Sequence, residues 1–179
     1  VDKAVMFNFD AFREIVDNLG GIEIKLSKPF VEATQWGYEF SLPAGQNQLN
    51  GEQALYYARS RYSSSDFDRA RRQQEVILAI KNKALNLGFL ANPIKVNSLF
   101  SDIKDDIRTN VQLWEIGDFI NIAKRISGNG AIARLVLTSD NVLYESKTDV
   151  GAFILLPKSE SFDSLRSTIA NLLSGGTAK

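Results

Sequence analysis

The chain of 179 residues contains no cysteine and no histidine. These two absences exclude thiol nucleophiles, cysteine-based zinc sites and catalysis of the serine–histidine–aspartate type. The groups that remain for chemistry are carboxylates, arginines, lysines and hydroxyls.

Long apolar runs and a net charge are also absent. No run approaches the roughly 18 apolar residues that a membrane span requires, and no signal peptide begins at Val1. The formal net charge is zero, which argues against nonspecific binding of nucleic acid, because such binding depends on a basic surface. The composition, 44% hydrophobic and 23% charged, is typical of one globular domain. We predict that domain over residues 1–173, with a disordered tail at 174–179.

Positive charge is concentrated in residues 49–74. This stretch holds five of the chain's ten arginines and no lysine. Arginine presents a planar fork of donors that matches two oxygens at once and stays charged, so it is favoured where phosphate or carboxylate is held in a fixed pose. The five residues are Arg59, Arg61, Arg69, Arg71 and Arg72.

The same stretch has the pattern of a helix, a loop and a second helix. Asn50 and Gln53 have the spacing of a capping box, which predicts a short helix ending near Ser60. A serine run follows, and Ser65 with Asp68, or Asp66 itself, can cap a helix over residues 67–87. Arg59 and Arg61 would lie about 200° apart on a continuous helix. Both can therefore reach one ligand only if the first helix ends between them.

The second helix places polar and apolar side chains in line. Its predicted inner face is formed by Arg69, Arg72, Gln73, Val76, Ile77 and Ile80, whereas Arg71 points the opposite way. A solvated helix would keep its charges away from the apolar stripe. The polar end of this face should therefore lie at the mouth of a pocket, near a helix N-terminus that favours an anion. The alternative is a surface network in which the arginines pair with nearby carboxylates.

The remaining elements are predicted from the periodicity of hydrophobic residues and from the glycine, proline and capping residues that begin or end helices and strands. We predict a buried strand at 5–9, a helix at 11–19 capped by Asp10, a half-exposed strand at 22–26, a loop or hairpin at 29–43, a helix from Pro93, a helix at 111–126, strands at 133–138, 144–147 and 152–156, and a helix at 162–173. Strands and helices alternate in the early part of the chain, and strands cluster in the late part. This order predicts an α/β fold, with a mixed central sheet and helices on both faces.

Three acidic residues, Asp102, Asp105 and Asp106, share one face of a predicted helix. Such a group could bind calcium or magnesium, but Lys104 and Arg108 lie close by in sequence. A solvated acidic face is the favoured interpretation. Trp36, in the aromatic segment 29–43, is interpreted as a packing residue in preference to a platform for a sugar.

Three segments resemble the LytR-CpsA-Psr family. Residues 49–61 match its L-N-G-x-x-A-L-x-Y-A-R-x-R run, and residues 66–73 match its D-x-x-R-x-x-R-Q run. Residues 9–22 are similar to a helix of the family that ends in a D-x-L-G-G-hydrophobic turn. The family's upstream R-x-D and P-R-D type segments have no counterpart before Val1. The resemblance therefore indicates the C-terminal half of the catalytic domain, with its N-terminal part missing.

This resemblance implies a function. Family members are phosphotransferases outside the cytoplasmic membrane that move a glycopolymer from a polyprenyl-pyrophosphate lipid to peptidoglycan or a related acceptor. By position, Arg59, Arg61, Arg69, Arg72 and Gln73 would bind the pyrophosphate. Asp66 and Arg69 would act nearest the reacting phosphorus. Phosphoryl transfer needs positioning and charge neutralisation more than a protein nucleophile, which suits these residue types.

The resemblance carries further expectations. Mg2+ is the expected cofactor, with ligands in the missing upstream half, and a membrane anchor is expected outside this chain. Val76, Ile77 and Ile80 are candidates for an apolar tunnel for the polyprenyl chain, although ordinary core is the favoured role for each one singly, since every helix needs an apolar face. Two alternatives remain: a binding module that holds the lipid phosphate without catalysis, and a transcription regulator. Zero net charge and the lack of a basic recognition helix weigh against the second.

Overall fold

The computed structural model describes residues 2–86, 88, 92–115, 117–119, 121, 134–159 and 161–174. The chain divides into two compact units, Val1–Gly130 and Ala131–Lys179. The predicted domain 1–173 stays a prediction, and the tail beyond residue 174 lies outside the described residues.

The described residues contain both strands and helices, so the predicted α/β class is confirmed. The strands are β1 Val5–Phe7, β2 Ile22–Leu26, β3 Phe30–Glu32, β4 Phe40–Leu42, β5 Gly45–Leu49, β6 Ile107–Thr109, β7 Leu143–Lys147 and β8 Phe153–Pro157. The helices are α1 Phe9–Asn18, α2 Gly51–Arg59, α3 Asp66–Asn86, α4 Pro93–Ile103 and α5 Asp163–Leu173. Within the described residues the predicted sheet takes the form of four two-stranded antiparallel ladders: β1 with β6, β2 with β5, β3 with β4, and β7 with β8.

The core of the first unit lies where α1, α2 and α3 cover the β2–β5 ladder. Ile22 pairs with Leu49 and Ile24 with Asn47, and alternate residues of β2 face inward, as the period-2 pattern predicts. Val16 of α1 is fully buried. Gly20 has a φ of +72° directly after α1, a left-handed conformation that suits glycine at a helix end.

Two predictions near the N-terminus are wrong in detail. Strand β1 is exposed instead of buried, with Val5, Met6 and Phe7 each more than half accessible, because β1 pairs with β6 along one edge and is not covered by a second layer in the described residues. Helix α1 begins one residue before Asp10. Its cap is Asn8, whose side-chain oxygen accepts from the amide of Ala11 at 2.9 Å.

Later elements agree with the predictions to differing degrees. Helix α4 begins at Pro93 after an Asn92 cap, as predicted. The predicted helix 111–126 opens as a 3-10 turn, Leu113–Glu115, and residues 122–126 lie outside the described residues. Residues 134–138 adopt no regular strand, so the described part of the predicted strand 133–138 is not confirmed. The hairpin β7–β8 and helix α5 are confirmed.

Candidate functional site

Helix α2 begins at a tight approach to α1. Asn50 accepts from the amide of Gln53 at 2.9 Å, and the Gln53 side chain accepts from the amide of Asn50 at 3.1 Å, which confirms the predicted capping box. Gly51 lies against the backbone of Arg13, where an added Cβ would overlap the Arg13 carbonyl oxygen. The amide of Gly51 donates to the Asp17 carboxylate at 2.7 Å. The asparagine and glycine therefore fix the direction in which α2 leaves α1.

Helix α2 ends between two of the predicted ligands. Ser60 leaves the helix with φ −56° and ψ 133°, so Arg59 and Arg61 are not held 200° apart by a continuous helix. The Ser60 hydroxyl donates back to the Tyr56 carbonyl at 2.7 Å. The geometric condition set by the sequence, a helix that ends near Ser60, is met.

Aromatic rings surround the first two arginines. The guanidinium carbon of Arg59 lies 4.0 Å from the centroid of the Phe9 ring and 5.5 Å from that of Trp36. The guanidinium carbon of Arg61 lies 5.9 Å from the ring centroid of Tyr62. Such placements stabilise a cation while leaving its N–H donors directed outward.

The start of α3 supplies the next group. Ser65 and Asp68 cap the helix reciprocally: the Ser65 hydroxyl accepts from the amide of Asp68 at 3.1 Å, and the Asp68 carboxylate accepts from the amide of Ser65 at 3.2 Å. The Ser65 hydrogen bond is the main cause that lowers the pKa of Asp68. Asp66 pairs with Arg69 at 3.2 Å, and Gln73 is exposed one turn later. Asp66 is thus placed to orient Arg69.

Arg72 lies on the buried face of α3, in line with Val76, as predicted. It is only 6% exposed. Its Nε donates to the Tyr57 carbonyl at 2.9 Å, and one terminal nitrogen donates to the Ser60 carbonyl and to the Ser64 hydroxyl. Burial lowers the pKa of Arg72. The residue is therefore a brace between α3 and the end of α2, and its assignment to the pyrophosphate site stays a prediction.

The brace explains how α3 is placed relative to Arg59 and Arg61. Because Arg72 binds the Ser60 carbonyl, the N-terminal part of α3 lies beside the end of α2. Arg69 precedes Arg72 by one helical turn, about 4.5 Å along the axis. The alternative of a surface network is confirmed for Arg69 with Asp66 and for Arg71 with Asp68.

One residue of this region was not found from the sequence. Glu32 is fully buried, and its carboxylate accepts from the hydroxyl of Ser63 at 2.8 Å and from its amide at 3.1 Å. Burial raises the pKa of Glu32, but the hydrogen bonds from Ser63, Thr34 and Gln35 outweigh it, so that the pKa lies below its ordinary 4.5. The alternation of β3, which places residues 30 and 32 on one face, was the available signal.

A cavity of about 660 Å³ is lined by residues of β2, β3, the loop before α3 and α3 itself. Its lining includes Lys25, Lys28, Arg71, Arg72 and Glu75, but not Arg59, Arg61 or Arg69. Of the arginines in residues 49–74, Arg71 and Arg72 therefore line this cavity, whereas Arg59, Arg61 and Arg69 do not.

The three candidates for the polyprenyl tunnel differ in how deeply they are buried. Val76 is fully buried in the core, and Ile80 packs against that core. Ile77 is 65% exposed, because it lies about 100° around the helix from Val76. The prediction that Ile77 shares the inner face is wrong.

The described residues contain no group of three or more histidine, cysteine, aspartate or glutamate side chains that could hold a metal ion. Asp102 and Asp105 are exposed, and Asp106 is half-buried and accepts a hydrogen bond from the Asn8 side chain. The described part of the chain also includes no helix both long and apolar enough to cross a bilayer.

Comparison with known proteins decides the family. The model of the LytR_cpsA_psr family matches residues 1–167. This chain belongs to the LytR-CpsA-Psr family. Among its relatives is the polyisoprenyl-teichoic acid–peptidoglycan teichoic acid transferase TagU of Bacillus subtilis, 34% identical over 132 residues, which cover 70% of this chain and 40% of TagU.

Solved structures show the LytR-CpsA-Psr fold. Protein gbs0355 from Streptococcus agalactiae superposes with a TM-score of 0.72 at 21% identity, over 100% of this chain and 59% of that one. TagT bound to LIIa-WTA superposes with a TM-score of 0.68 at 22% identity, over 97% of this chain and 62% of that one. The chain spans less than half the length of the curated relatives it matches.

The family motifs now have physical meanings in this LytR-CpsA-Psr chain. The N-G pair of the first run caps α2 and allows its close approach to α1. The R-x-R of that run brackets the end of the helix. In the second run, the first arginine pairs with the leading aspartate, and the second is the buried brace.

Proposed function

We propose that this chain supplies the pyrophosphate-binding arginines of a cell-wall glycopolymer transferase. The transferase would move a polymer from a polyprenyl-pyrophosphate lipid to peptidoglycan or a related acceptor, at the outer face of the bacterial cytoplasmic membrane. Membership of the LytR-CpsA-Psr family and the transferase activity for which the relative TagU is named support this substrate class.

One observation carries the proposal. Two arginines flank a residue at which a helix ends, and a buried arginine from α3 holds that residue's carbonyl. The end of α2 and the first turn of α3 are thereby joined, and each presents a guanidinium that is not buried: Arg59 and Arg61 from one segment, Arg69 from the other. Pyrophosphate offers oxygens on two adjacent phosphorus atoms, which suits a set of arginine forks.

The proposed chemistry uses the side chains of this chain alone. Arg59 and Arg61 bind the diphosphate, and Arg69, oriented by Asp66, neutralises charge that develops as the bond to the leaving phosphate breaks. Gln73, exposed on the next turn, can donate to a phosphate oxygen. The expected Mg2+ stays a prediction, and no step is assigned to it.

A second function, binding of the lipid phosphate without catalysis, needs the same arginines. Turnover separates the two. The intact protein is incubated with a lipid-linked glycopolymer and a peptidoglycan acceptor, and the released polyprenyl phosphate is measured. Release and polymer attachment are expected for the unaltered protein, with loss of at least about a hundredfold for Arg59→Ala or Arg69→Ala, the range seen when one charge-stabilising group is removed.

The control is Arg166→Ala. Arg166 pairs with Asp163 at 3.1 Å on α5, in the same i,i+3 geometry as Arg69 with Asp66, and should leave turnover unchanged. Tight lipid binding that depends on Arg59 without any turnover would favour the binding module. Turnover that survives both substitutions would contradict the proposed site.

A further inference from the structure

The loop between β3 and β4 is bonded to the end of α2 at three successive residues. The side chain of Gln35 makes two of these bonds: Nε2 donates to the Arg59 carbonyl at 3.1 Å, and Oε1 accepts from the amide of Arg61 at 2.7 Å. A single amide group therefore spans the helix end.

These two bonds satisfy groups that the helix end leaves open. A carbonyl in the last turn of a helix has no intrahelical partner, and the amide of Arg61 lies beyond the last helical bond, which the amide of Ser60 makes to Tyr56. Without Gln35 both groups would need water or a different backbone path. Gln35 thus selects the path that connects Arg59 to Arg61.

Trp36 fixes the same segment by other contacts. Its Nε1 donates to the Ser60 hydroxyl at 3.1 Å, and its ring stacks on Tyr56 with centroids 4.4 Å apart and planes 17° from parallel. The guanidinium carbon of Arg59 lies 5.5 Å from the centroid of this ring and 4.0 Å from that of Phe9. The indole therefore restrains both the backbone at Ser60 and the side chain of Arg59.

We infer that Gln35 and Trp36 are positioning residues that set the placement of Arg59 relative to Arg61, and with it the preference of this site for a diphosphate over a monophosphate. The inference rests on the proposed function. A monophosphate can be bound by one guanidinium fork, whereas a diphosphate that engages both arginines requires a fixed distance between them. Loss of the restraint should therefore weaken diphosphate binding more than monophosphate binding.

The test compares two probes, farnesyl pyrophosphate and farnesyl phosphate, by isothermal titration calorimetry of the intact protein. The variants are Gln35→Leu, Trp36→Leu and Trp36→Phe, with Trp114→Phe as the control, because Trp114 is 78% exposed. We expect Gln35→Leu and Trp36→Leu to weaken pyrophosphate binding about tenfold, as expected from loss of a cation–π contact or a pair of hydrogen bonds. Monophosphate binding should change by less than about threefold, since one fork remains.

Trp36→Phe provides the conservative comparison. It keeps an aromatic ring for Arg59 but lacks the N–H donor to Ser60, so its selectivity should fall between those of Trp36→Leu and the unaltered protein. The deciding quantity is the ratio of the affinity for farnesyl pyrophosphate to the affinity for farnesyl phosphate. Partial unfolding lowers the fraction of active protein by the same factor in both titrations and therefore leaves this ratio unchanged. The control should keep the ratio of the unaltered protein.

Two results would overturn the inference. Equal weakening for both probes would show that Gln35 and Trp36 act on folding alone, and unchanged pyrophosphate binding would show that they do not position the arginines. In either case, pyrophosphate binding that is still lost in Arg59→Ala leaves the proposed function intact. Failure of the unaltered protein to bind pyrophosphate would overturn the proposed function and the inference together.

Discussion

Arg69 and Arg72 lie one turn apart on α3 and are used differently. Arg69 keeps part of its side chain in solvent and pairs with Asp66, which suits a residue that meets a ligand. Arg72 is buried and binds two backbone carbonyls, which suits a residue that holds the architecture. The same residue type therefore provides a ligand group and a brace within four positions.

Replacing Arg72 should destabilise the fold. Arg72→Met keeps much of the volume but leaves the carbonyls of Tyr57 and Ser60 without their donors, and we expect a loss of about 3 kcal/mol in the free energy of unfolding. Urea unfolding followed by circular dichroism measures this value. The control is Arg71→Met, whose exposed pair with Asp68 should contribute less than about 1 kcal/mol. Equal effects of the two substitutions would contradict the role of brace.

Glu32 should make the protein sensitive to acid. Its folded-state pKa lies below the ordinary 4.5, so the stability it contributes is fully present above pH 4.5 and is lost as the pH falls through the folded-state pKa. Glu32→Gln removes this titration. The variant should be less stable than the unaltered protein at pH 7 and should lose less stability between pH 5 and pH 3, as measured by thermal unfolding at each pH. Parallel losses in both proteins would contradict the assignment.

At the scale of elements, α2 connects the core to the candidate site. Its first turn is set by the capping box and by Gly51 against α1, its buried face carries Ala54, Leu55 and Tyr57, and its end is set at Ser60. A displacement at the first turn is therefore transmitted along nine residues to the arginines.

Gly51→Ala should test this connection. The added Cβ would overlap the Arg13 backbone, and overpacking of this kind costs about 1 to 3 kcal/mol. Glu52→Ala, at the next and exposed position, should cost much less. Unfolding in urea measures both. A Gly51→Ala variant as stable as the unaltered protein would show that α1 and α2 have room to separate.

The elements that could be predicted from the sequence are those fixed by local chemistry. The capping box at Asn50, the helix end near Ser60, the Ser65 and Asp68 cap, and the proline start of α4 depend on neighbours within four residues. The exposure of β1 and the hydrogen-bond partners of Arg72 could not be predicted, because both depend on which distant segments lie against these residues. Periodicity placed Arg72 in line with Val76 but could not show that carbonyls of α2 would meet its guanidinium.

At the scale of the whole molecule, positive charge is concentrated in one region, and the chain as a whole has no net charge. The formal net charge is zero, while arginines collect at the end of α2 and the start of α3. The four antiparallel ladders of the described residues could not be derived from the pattern of strands, because strand partners such as β1 and β6 are separated by about a hundred residues.

The charge distribution predicts weak interaction with nucleic acid. Nonspecific DNA binding grows with the number of phosphates that a protein neutralises, and a protein of zero net charge should bind a random duplex no more tightly than about 100 μM at physiological salt. Fluorescence anisotropy with a labelled duplex measures this. Submicromolar binding at that salt concentration would favour the regulator alternative over the transferase.

The central claim is that arginines from two neighbouring segments meet one diphosphate. The most direct measurement is a crystal structure of the intact protein with a bound polyprenyl pyrophosphate. The account predicts guanidinium nitrogens of Arg59, Arg61 and Arg69 at about 2.7 to 2.9 Å from oxygens of the two phosphates, with Arg72 still bonded to the Ser60 carbonyl. A diphosphate held instead by Lys25, Lys28 and Arg71, in the 660 Å³ cavity that these residues line, would contradict it.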